Sequence, residues 1–68
     1  MTSPTLAAIA TQNVAWATVE IERLEAQTDW DAGKLTSLYN LRLAEIQAAL
    51  RNGATVEELA AITGNGGN

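Results

Sequence analysis

Hydrophobic residues recur along the first part of the chain in steps of four and three. Ala10, Val14, Ala17, Ile21 and Leu24 share one stripe at 3.6 residues per turn, with Leu6 on its extension. Ser3-Pro4 precedes the stripe as a helix start, since serine can cap free backbone amides and proline tolerates the first helical position. The spacing predicts a helix over about 4–27. Alanines at 10 and 17 would let a second helix approach closely.

Between Thr28 and Lys34 the pattern breaks at TDWDAGK, where Thr28 and Asp31 resemble a capping box. A second helix, about 32–52, gathers Leu35, Tyr39, Leu43, Ile46 and Leu50, and Gly53 supplies a left-handed stop. A third, about 56–63, opens on the Thr55/Glu58 capping box, carries Leu59 and Ile62, and ends at Gly64. No stretch alternates with period two. The fold expected is all-α: an antiparallel helical hairpin plus a short third helix, one small domain over 1–64 with a flexible tail at 65–68.

One charge interrupts this pattern. On an ideal wheel Arg42 lies roughly 20° from Leu35 and roughly 40° from Ile46, inside the apolar side of the second helix. A hairpin turning near residue 30 opposes positions whose numbers add to about sixty, which sets Glu20 against Arg42. Three roles follow for the arginine. It can lay its methylenes over the core and extend to water, form a structural ion pair with Glu20 within or between chains, or hold an anionic ligand. In the last role Asn13 and Tyr39 would join it.

A second set of apolar residues falls off the main stripes: Ile9, Trp16 and Val19 on the first helix, Leu38 and Leu41 on the second. A lone hairpin cannot bury both sets, so the surplus must meet the third helix or another chain. Tryptophan is a frequent interface anchor, and the expected assembly is a homodimer forming a helical bundle. Trp30, in the turn, is left two roles, a clamp on the hairpin end or a contact with a partner.

Composition narrows the chemistry. A chain of 68 residues sits near the lower size at which one core holds a fold, and with neither cysteine nor histidine it has no disulfide to help. Those absences also remove thiolate chemistry and nearly all zinc sites, and no cofactor or metal is expected. Catalysis is not expected either, because the remaining carboxylates and hydroxyls form no specific constellation. A formal charge of −4 disfavours a phosphate backbone as partner. The sequence has no membrane span or export signal, and a cysteine-free composition fits a cytoplasmic protein.

The segment GATVEELAAITG, residues 53–64, resembles the opening of a helix-turn-helix, where a TxEELAxxTG-like helix leads through glycine into a recognition helix. The resemblance implies a nucleic-acid regulator. Here NGGN follows, and no lysine or arginine occurs after Arg51, so nucleic acid ranks last among the expected partners. The leading expectation is a small non-enzymatic oligomer acting through protein–protein contacts, as a regulator, inhibitor, adaptor or assembly factor. The alternative is an oligomer that binds a small anionic or nucleotide-like ligand in pockets between subunits.

Overall fold

A computed structural model describes residues 2–64, and the flexible tail expected at 65–68 lies outside them. Three helices follow in order, α1 (Pro4–Glu25), α2 (Ala32–Arg51) and α3 (Val56–Thr63), with no strand among the described residues. α1 packs along α2 and, near its N-terminal half, against α3.

Local chemistry sets the boundaries. Ser3 accepts from the Leu6 amide at 3.2 Å, and Pro4 takes the first turn of α1. α1 stops at Glu25, short of the expected Gln27. The cap of α2 is Asp31 rather than Thr28: its Oδ1 accepts from the Gly33 and Lys34 amides at 2.8 and 3.2 Å. An aspartate next to the first helical residue reaches those amides directly, so the expected Thr28/Asp31 box does not form. Gly53, at φ 108°, turns the chain out of α2 in a conformation that an L side chain would strain. The Thr55/Glu58 capping box is complete, with the Glu58 amide donating to Thr55 Oγ1 and the Thr55 amide to Glu58 Oε1.

The stripe on α1 is buried as its spacing predicts: Ala10, Val14, Ala17, Ile21 and Leu24 all face inward. Leu6 does not join them and is 54% exposed. The antiparallel register sets it against the end of α2, where there is no further turn to cover it.

α2 departs further from expectation. Its inward side runs through Leu35, Leu38, Arg42, Glu45 and Ala49, again in steps of three and four, and only Ala49 is fully enclosed. Of the expected stripe, Tyr39, Leu43 and Leu50 point about 100° away from that side and are exposed, while Ile46 packs half-buried against the core. Small side chains explain the choice. Ala49 enters the cluster with Ala10, Val14 and Leu59, and close helix approach there excludes bulkier leucines. The large buried side chains are then few: Val14, Ile21, Leu24 and Leu59.

Candidate functional site

Polar groups in the α1–α2 seam pair across the hairpin. Asn13 Nδ2 donates to Glu45 Oε1 at 3.3 Å, Arg42 Nη1 to Thr18 Oγ1 at 3.4 Å, and the Tyr39 hydroxyl to Glu25 Oε2 at 3.0 Å. Each pair adds to about sixty, the register expected of a turn near residue 30. The expected partner of the arginine, however, is wrong within the chain. Glu20 Oε2 accepts instead from Arg23 Nη1 at 2.8 Å, one turn away on the same helix. Two residues separate Glu20 from Thr18, about 200° of helix, so the carboxylate leaves α1 on the flank opposite the one Arg42 leans toward.

Arg42 is half-buried between Thr18, itself buried and donating to the Val14 carbonyl at 2.8 Å, and the Tyr39 ring, whose centroid lies 5.0 Å from the guanidinium carbon. Among the described residues no carboxylate lies within ion-pair distance of it. Tyr39 lies against Arg42, while Asn13 is held on the other flank by Glu45.

A half-buried arginine whose guanidinium has one long hydrogen bond and a ring contact sits where an apolar side chain would contribute more. Arg42→Met is accordingly expected to raise stability by about 1 kcal/mol, read from the urea midpoint. A lower midpoint would assign the arginine a structural role.

Tyr39 is the sole tyrosine, which makes its titration readable. Its hydrogen bond to Glu25, then burial and the repulsion of that carboxylate, raise its pKa above the usual 10.0, against a smaller opposing pull from Arg42. The neutral phenol's contribution is present below the unfolded pKa and is lost as pH climbs through the folded one. Alkaline ultraviolet titration should give a midpoint above 10.0 that falls back in Glu25→Gln. Equal midpoints in the two proteins would remove the Tyr39–Glu25 bond from the account.

Beside Arg42 opens a cleft of about 210 Å³ between α2 and α3, lined by Ile46, Leu50, Val56, Leu59 and Thr63. A second groove continues from Arg42 along α2 past Tyr39 and Leu43. Arg42 and Ile46 border both. Sequence reasoning missed this cleft and both partners, Thr18 and Glu45. The signal available was the second three-four series, Leu35 to Ala49, which runs through Arg42 and Glu45.

The other expected residues lie elsewhere. Ile9, Trp16 and Leu41 are 49%, 54% and 40% exposed. Ile9 is about 160° around α1 from Thr11, and Leu41 about 180° around α2 from Leu50, and Thr11 and Leu50 border the space next to α3. Ile9, Trp16 and Leu41 thus lie on the side of the hairpin away from α3. Val19 is exposed on the outer edge of α1, and Leu38 is half-buried in the seam. Trp30 is exposed in the connection between α1 and α2. Among the described residues no helix is long and apolar enough to cross a membrane.

Compared with known proteins, the chain matches no family model, no curated protein and no solved structure.

Proposed function

We propose that this chain is a small cytoplasmic association module that pairs with a second copy of itself and acts on another protein through the resulting bundle. The observation that carries the proposal is the uncovered side of the hairpin. α3 has 8 residues and α1 has 22, so α3 spans about 12 Å of a hairpin about 33 Å long, and only on one side. The opposite side presents Ile9, Trp16 and Leu41 to solvent. A helix layer normally buries such a face against a second layer.

A second copy supplies that layer simply. An isologous contact places the same patch on both partners, and two hairpins face to face make a four-helix bundle. Regulation, inhibition or assembly of a further protein is the role left to a module without catalytic chemistry. Duplex DNA suits it poorly: α3, the helix-turn-helix-like element, carries Glu57 and Glu58 and no basic residue. Light scattering of the purified chain tests the pairing, with a dimer expected and a strict monomer at all concentrations counting against it.

A further inference from the structure

We propose that the α2–α3 cleft binds a small apolar carboxylate, a medium-chain acid whose headgroup docks on Arg42. The inference is independent of self-association, because the cleft lies within one chain and on the side of the hairpin away from Trp16.

Two features of Arg42 point to an incoming anion. Arg42 is half-buried, and the contacts of its guanidinium are a neutral hydroxyl and an aromatic ring. Acidic residues of the same two helices are engaged elsewhere: Glu45 receives Asn13 on the opposite flank, Glu25 receives Tyr39, and Glu20 pairs with Arg23. The fork of the guanidinium retains donors for a carboxylate, which it can hold through two parallel hydrogen bonds. The Tyr39 ring lies on its other side, 5.0 Å from centroid to guanidinium carbon, and offers no acceptor that competes for those donors.

The cleft beyond the charge defines the rest of the ligand. Its walls are Ile46, Leu50, Val56 and Leu59, so the body of the ligand is apolar. At about 210 Å³ the cleft falls below the roughly 300–1,000 Å³ of typical ligand pockets, too small for a nucleotide. From Arg42 to Leu50 the helix advances about 12 Å, which an acid of roughly eight carbons spans with its terminal hydrogen bond. A larger cavity near the N-terminus of α1 lacks such a cation, and its charged lining residue, Glu58, is committed to the α3 cap.

The test uses the full chain and sodium octanoate, followed by amide proton–nitrogen correlation spectra, with 1-octanol as the uncharged counterpart. Expected are saturable shifts centred on residues of the α2–α3 cleft, with a Kd below about 1 mM. Octanol should bind at least tenfold more weakly, as should octanoate to Arg42→Gln, with helicity of the variant checked by circular dichroism. Val56→Trp gives a second variant that leaves the arginine in place: Val56 is 66% exposed, so the larger ring fills the cleft without disturbing the core, and octanoate binding should be lost. Equal binding of octanol and octanoate, undiminished binding by either variant, absence of saturable shifts, or shifts centred on Ile9, Trp16 and Leu41 would each overturn the proposal.

Discussion

Leu59→Ala is expected to release α3 from the hairpin and cost about 2–3 kcal/mol. Leu59 is the buried residue of α3, 4% exposed, and it closes the cluster formed by Ala10, Val14 and Ala49. Its removal deletes apolar contact and leaves a cavity lined by small side chains that cannot collapse to fill it. A helix of 8 residues has little stability of its own, so its order depends on this anchor. At roughly 0.05–0.15 kcal/mol per residue, a chain of this size has only about 3–10 kcal/mol in all. Urea unfolding should therefore show a midpoint lower by more than about 1 M, and amides from Leu59 to Thr63 should lose hydrogen-exchange protection. Val56→Ala serves as the control, because that side chain is largely exposed and its truncation should be nearly neutral. Equal effects from the two truncations would mean that α3 is not anchored through Leu59.

Trp16→Glu is expected to abolish self-association while leaving the helices intact. Trp16 is 54% exposed and therefore tolerates a polar replacement within one chain. In the proposed dimer it lies at the centre of the uncovered side, flanked by Ile9 one heptad earlier and by Leu41 across the seam. A buried tryptophan at such a centre is commonly worth 2 kcal/mol or more, and a carboxylate would add desolvation and repulsion from its symmetry mate. The dissociation constant should rise at least about a hundredfold. Each chain carries a net charge of −4, so association of the unaltered protein should strengthen as added salt screens the repulsion. Docking on a basic partner would weaken under the same change.

Much of the fold was legible because the relevant signals are local. Ser3, Pro4, Thr55, Glu58, Gly53 and Gly64 each punctuate a helix through bonds or backbone angles spanning three or four residues. The stripe on α1 was legible because only one of its sides carries the three-four series of small and branched residues. α2 offered two such series, Leu35–Tyr39–Leu43–Ile46–Leu50 and Leu35–Leu38–Arg42–Glu45–Ala49. Hydrophobicity favours the first, while the structure turns the second inward because close packing rewards Ala49. The rotation is what gave Arg42 to Thr18 rather than Glu20, and what left Leu50 beside the α2–α3 cleft and Leu43 beside the groove along α2. Such a choice depends on the shape of the opposing helix, which no spacing along α2 contains.

In the proposed assembly the side of the hairpin bearing Ile9, Trp16 and Leu41 is the interface. Sedimentation equilibrium of the wild-type chain beside Trp16→Glu, over a range of concentrations, tests it most directly. The wild-type mass should rise to twice the 7.2 kDa of one chain, and the variant should stay at 7.2 kDa with unchanged helicity. A wild-type protein that remains at one chain mass throughout, or a variant that dimerises as the wild type does, would contradict it.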